Sequence, residues 1–248
     1  MVHVYKKAIK RIIRANKLHN LSNPFRNAKA VDVKYDLTFN GIWSLTNKQT
    51  ISNSCDKSII VVLESPHIDE FNDPNRFALS NDVYFKRKFV NAFLNSKTFQ
   101  KSKVTLNQKQ RYKVYLINAI QFQCSLGIPT QYYRDYVFCY YWDRMKNDFK
   151  NRLRSIINNS KKVLAVINLC TKGSHEKCTQ LYNCSTKNMD VMYKKCGKKF
   201  LSRIFGAGNA YSSLSDMVNS SIKEVCTNIP ISTGKHPSSW GYSHTLIN

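Results

Sequence analysis

The sequence predicts an α/β protein, a three-layer α/β/α architecture around a central, mainly parallel, four-stranded sheet. Two observations carry that expectation. Short apolar runs rich in β-branched residues recur at 58–63, 113–119, 162–169 and 224–231, each the length of a strand buried on both faces. Longer segments with helical periodicity lie between them, and strands alternating with helices build a doubly wound sheet.

In chain order, Val4, Ala8, Ile12, Ala15 and Leu18 recur at helical spacing, with Lys6, Lys7, Lys10, Arg11, Arg14 and Lys17 between them. This reads as an amphipathic helix whose basic face is either solvated or turned to phosphates. Residues 19–57 are polar, rich in Asn and Ser and broken by Pro24 and Gly41, which predicts a long connection with short extended pieces. The run 58–63 (SIIVVL) is the first strand, 82–96 a helix, 113–119 (KVYLINA) the second strand, 135–158 a long helix and 162–169 (KVLAVINL) the third strand. A pair of helices is expected within 186–222, before the weakest strand, 224–231 (EVCTNIPI). No internal repeat occurs, and 248 residues suit one domain: a basic helix and polar connection over 1–57, then a core over 58–242.

Lys and Arg total 39 against 15 Asp and Glu, giving a formal charge of +24 and a pI near 9.8. Such a field favours a polyanion, with nucleic acid ahead of an acidic membrane surface. No apolar run approaches the roughly 18 to 20 residues that a membrane span needs, and the N-terminus lacks an apolar secretory core. A cytoplasmic protein without a membrane partner is expected, although the first 31 residues, free of Asp and Glu, share their basic pattern with organelle-targeting segments. The eight cysteines lack the paired spacing of a secreted scaffold and read as reduced thiols.

In a doubly wound sheet the chemistry lies beyond the carboxyl ends of the strands. The first strand runs into Glu64-Ser65-Pro66-His67-Ile68-Asp69-Glu70, where Pro66 stops the strand and holds the Glu64 carboxylate near the rim. The second ends in Asn118, an amide that can read the edge of a pyrimidine or bond to nearby backbone; either use satisfies it. The fourth precedes Lys235-His236-Pro237-Ser238-Ser239-Trp240-Gly241-Tyr242, which sets an imidazole beside hydroxyls, aromatics and a cation.

These elements, in this order, resemble the uracil-DNA glycosylase superfamily, over about residues 58–242. Glu64-Ser65-Pro66-His67 is similar to the family's water-activating motif and His236-Pro237-Ser238 to its last loop, while Leu116-Ile117-Asn118-Ala119 resembles the strand whose Asn reads the base. Phe77 lies thirteen residues beyond Glu64, the spacing of the base-stacking Phe in the Gly-Glu-Ala-Pro-Gly branch. Glu64 carries the catalytic role on that alignment, since the Gln-Asp-Pro-Tyr branch has an Asp where this chain has Ser65. His67 stands in place of a Tyr that excludes 5-methyl groups, or of a Gly, which leaves substrate choice at the C5 side open.

The resemblance implies a monomeric enzyme that takes a pyrimidine out of DNA and hydrolyses its glycosidic bond. Phe77 would stack on the base, Asn118 would read its edge, and His67 and Ser65 would complete the pocket. Glu64 would activate water, and His236 would donate to the O2 that gains charge. Lys235, Ser238 and Ser239 would grip phosphates, with Trp240 and Tyr242 as wedges or loop packing. Asp69 and Glu70 are second candidates for the water, otherwise ion-pair partners. No cofactor or metal is expected. The cysteine pair of the iron–sulfur members is missing, and the gaps among Cys170, His175, Cys178, Cys184 and Cys196 do not match zinc knuckles. Two alternatives stand beside this reading: a phage-defence glycosylase removing a bulky modified cytosine, and a catalytically silent nucleic-acid binder.

Overall fold

The computed structural model describes residues 30–46, 57–66, 89–124, 130–171 and 213–235. Its strands are β1 (Val33–Asn40), β2 (Ile42–Thr46), β3 (Lys57–Leu63), β4 (Tyr112–Asn118), β5 (Lys162–Asn168) and β6 (Ile231–Thr233). The helices are α1 (Lys97–Lys101), α2 (Thr130–Asn158) and α3 (Leu214–Val225), with a π-helical turn at Phe89–Phe93.

All six strands form one sheet in the order β2-β1-β4-β3-β5-β6. The segment β4-β3-β5-β6 is parallel, and β1 and β2 add antiparallel strands at the β4 edge. The class is therefore α/β, but the sheet has six strands, not four. The two additional strands come from the region expected to be a connection. They were hidden there because Tyr35 and Leu37 are buried among polar neighbours, the weak pattern of an edge hairpin. Gly41 turns this hairpin at φ +74°, a conformation that disfavours a side chain.

The strands β3, β4 and β5 lie within a residue or so of their expected bounds, because runs such as Ile59-Ile60-Val61-Val62 suit only a strand covered on both faces. Alternation divides the core in two. Ile60, Val62, Ile117 and Val166 pack under α2 and α3 with Phe138, Trp142, Phe149, Leu153, Met217 and Ile222. Ile59, Val61, Leu116 and Ile167 face the other way, onto Phe89, Phe93 and Phe99.

Of the fourth expected strand only the last residue is strand, because the preceding helix runs into it and a turn fills its middle. Ser213 accepts the Asp216 N–H at 3.1 Å as an N-cap, and Leu214, Met217, Val218 and Ile222 then bury one helical face. Thus 224–225 close α3, a turn follows, and only Ile231 of the expected run enters β6. The expected helix at 82–96 is also revised over its described part, which is the π-turn followed by a turn leading to the Ser96 cap of α1. The long helix α2 begins five residues earlier than the periodicity indicates. Of the pair expected within 186–222, the described part begins α3, which continues to Val225. The N-terminal helix expected at 4–18 lies outside the described residues. Among the described residues no helix is long and apolar enough to cross a membrane.

Candidate functional site

The parallel strands end together at one edge. Leu63 stands opposite Asn118, Val62 opposite Asn168, and Asn168 opposite Thr233. The ladder continues beyond β3 and β4: the Ala119 N–H donates to the Leu63 carbonyl at 2.7 Å and the Ile120 N–H to the Glu64 carbonyl at 3.0 Å. Glu64 and Asn118, singled out from distant stretches, thus lie at the ends of neighbouring strands, Asn118 level with Leu63 and Glu64 one residue beyond.

Both are enclosed. Asn118 is 0% and Glu64 4% exposed. The Glu64 carboxylate receives the Thr171 N–H at 3.2 Å and also the Thr171 hydroxyl, so it bridges the end of β3 to the loop after β5. Ser65 is half-buried and Pro66 buried beside it. Cys170, next to Thr171, is held well above the usual thiol range by burial and then by the charge of Glu64. A thiol shifted in that direction is disfavoured as a nucleophile, because the thiolate is the reactive form.

Two further groups at this edge carry weight that sequence reading did not assign. Asn168 donates to the Ser215 carbonyl at 2.9 Å and the Ser215 hydroxyl at 3.3 Å, and accepts the Cys170 N–H at 3.0 Å. Its own carbonyl accepts the Gly234 N–H at 3.0 Å. Asn168 therefore joins the end of β5 to the start of α3 and to its own following loop through its side-chain amide, and to the loop after β6 through its backbone carbonyl. An Asn inside an apolar run is the signal that marked Asn118, and it marks Asn168 equally.

The second group is an ion cluster under the β4 loop. Arg152 of α2 grips Asp32 through both carboxylate oxygens, at 2.8 and 2.7 Å, and Asp148 at 3.0 Å. The same guanidinium donates to the Asn118 carbonyl at 2.9 Å and the Ala119 carbonyl at 3.4 Å. Burial, partly offset by Arg152, the Asn118 backbone and Gln121, raises the Asp32 carboxyl above its ordinary value. No local pattern announces this cluster, because Asp32 and Arg152 are 120 residues apart.

Lys235 is exposed two residues beyond β6, at the same edge. His67, Phe77, His236, Ser238, Ser239, Trp240 and Tyr242 lie outside the described residues, as do Asp69 and Glu70. Of the weighed cysteine group Cys170 alone is described; among the described residues no three His, Cys, Asp or Glu side chains gather as a metal site would require. Comparisons with protein-family models, curated proteins and solved structures returned no match.

Proposed function

We propose that the chain is a DNA glycosylase that hydrolyses the glycosidic bond of an extruded uracil or modified pyrimidine and leaves an abasic site. One observation carries the reading: a carboxylate, Glu64, and an amide, Asn118, lie within one residue of register at the carboxyl ends of neighbouring parallel strands. The edge where doubly wound sheets hold their ligands thus offers one group suited to water activation and one suited to reading a base edge. The net charge of +24 supplies the attraction for a polyanionic substrate.

On this reading the protein works as a cytoplasmic monomer with no cofactor, and residues 58–242 are its catalytic core. Extrusion costs a few kcal/mol, met by stacking on Phe77 and edge bonds from Asn118. As the bond to the sugar breaks, negative charge gathers on the base O2, where His236 donates a hydrogen bond. Glu64 takes a proton from the water that attacks the sugar carbon, as a carboxylate does in glycoside hydrolysis. Since Asn118 and Glu64 are closed from solvent, the base must displace atoms that cover them. The cost of that displacement adds to the cost of extrusion, which is least for damaged or weakly paired bases.

A second reading is favoured by the bonds from Thr171. A carboxylate that is 4% exposed and held by two donors from one residue can be a structural tie, and the chain would then be a silent nucleic-acid binder. The two readings part in one experiment. The protein is incubated with duplex and single-stranded DNAs carrying uracil, 5-hydroxymethylcytosine or glucosylated cytosine, and freed base is identified by mass spectrometry. Release that falls at least a hundredfold in Glu64→Gln and in His236→Ala, with DNA binding retained, is the expected result. Binding without release from any substrate would leave the binder reading.

A further inference from the structure

The opposite edge of the sheet is as distinctive as the first. The amino ends of the parallel strands align, Tyr112 beside Lys57 and Lys57 beside Lys162. Within one residue of that row lie Arg111, Lys113 and Lys161, and the turn before β4 brings in Lys109, next to Gln110, whose side-chain oxygen accepts from Lys57 at 2.6 Å. Lys109, Arg111, Lys161 and Lys162 are exposed. Six cations therefore converge on one short rim from three separate stretches of chain.

Two described acidic residues on this side of the sheet are already held by lysines. Asp36 is buried against Lys113, and Glu224, on the neighbouring helix α3, is taken by Lys150 at 2.9 Å. Asp56, which precedes Lys57, lies outside the described residues. Counting both Asp36 and Asp56 against the six cations still leaves 6 − 2 = +4. Like charges gathered this closely repel one another, which costs stability unless a partner neutralises them. The sequence points the same way: no Asp or Glu occurs from 83 to 134, a stretch that holds ten Lys and Arg.

We infer that this amino-terminal rim is a second contact surface for the phosphate backbone of duplex DNA, separate from the candidate active edge. Six residue steps along β3 divide the two edges, about 20 Å at roughly 3.3 Å per residue. The same DNA contact cannot serve both. The row from Tyr112 to Lys162 crosses two strand spacings, about 10 Å at roughly 4.8 Å each. A DNA strand presents a phosphate about every 3.4 Å of axis, so the row faces about three. An acidic membrane would be attracted by the same charge but holds a basic surface firmly only where apolar side chains also insert. The large hydrophobics exposed among the described residues are Val31 and Ile42, of which only Ile42, at the β1–β2 turn, lies on the amino side of the sheet. The inference does not rest on glycosylase chemistry and holds for a silent binder as well.

The test is a salt titration of binding to a fluorescent duplex of ordinary sequence, read by anisotropy. Lys109→Glu, Lys162→Glu and the double variant are compared with Lys34→Glu, which reverses an exposed charge level with the middle of β4. Each rim variant should flatten the dependence of log K on log salt by about 0.9, and the double by about 1.8. Lys34→Glu should leave the slope unchanged, and any base release at saturating DNA should be retained in all variants. Equal losses in the rim and Lys34 variants would overturn the proposal in favour of a diffuse field. So would unchanged rim slopes accompanied by lost binding to phosphatidylserine vesicles, which would assign the rim to lipid. If a Glu variant fails to fold by circular dichroism, Lys109→Gln with Lys162→Gln gives the same reading at about half the change in charge.

Discussion

Glu64 reaches Thr171 across 107 residues of sequence, and its carboxylate accepts both the backbone N–H and the hydroxyl of that one residue. The pair closes the carboxyl edge between β3 and β5, beside the buried amides of Asn118 and Asn168. Its consequences differ from those of a solvent-exposed carboxylate and are measurable.

Thr171→Val removes the hydroxyl donor, keeps the N–H and preserves the volume. A hydrogen bond to a charged group contributes about 1.5–3 kcal/mol. Urea denaturation should show a loss in that range. Thr171→Ser, which keeps the hydroxyl, should lose clearly less. Equal stability of wild type and Thr171→Val would mean that Glu64 is held by other groups.

Arg152 is shared by two carboxylates and two carbonyls, so its removal strands several partners at once. Arg152→Ala should destabilise the fold by about 3–5 kcal/mol, the cost of breaking a largely buried ion pair from one side. Arg152→Lys keeps the charge but not the planar fork, and should lie between. If the proposed chemistry holds, Arg152→Lys also weakens base release, because the guanidinium positions the backbone of Asn118. A lysine variant as stable and as active as wild type would refute that role.

Asp32 supplies a pH signature. Its carboxyl titrates above the ordinary 3.8 because burial outweighs what Arg152, the Asn118 backbone and Gln121 return. A carboxyl raised on folding contributes stability that is full below its unfolded pKa and is lost as pH rises through the folded value. The stability of wild type minus that of Asp32→Asn should therefore fall with rising pH from about 3.8 upward, then level off. Denaturation at a series of pH values checks it; a difference that grows across that window would show Arg152 to outweigh burial.

Cys124, Cys170 and Cys226 are buried free thiols. Burial raises Cys226 to about 11, and burial with the nearby Glu64 charge raises Cys170 well above its usual range. Iodoacetamide at pH 8 should leave these three unmodified in the native protein and alkylate them in denaturant, read by peptide mapping. Rapid native labelling of Cys170 would show that this edge opens readily.

The β3, β4 and β5 strands were legible in the sequence because each is short, apolar and β-branched, and burial on both faces permits little else. The two polar residues at their ends, Glu64 and Asn118, were legible for the complementary reason: a carboxylate or amide closing an apolar run marks where a buried strand stops. The strand expected at 224–231 forms only at Ile231, because α3 runs on to Val225 and a turn fills 226–230.

What the sequence by itself determined is the set of local choices: which stretches are buried, where they stop and how basic the surface is. These depend on composition within a few residues, and burial and charge are read there directly. Tertiary structure alone decided the strand order, the hairpin at the β4 edge, the Lys113–Asp36 pair 77 residues apart and the Arg152–Asp32 pair 120 apart. Such contacts exist only once distant segments share a surface, because electrostatics and hydrogen bonding act over a few ångströms of space and take no account of separation along the chain.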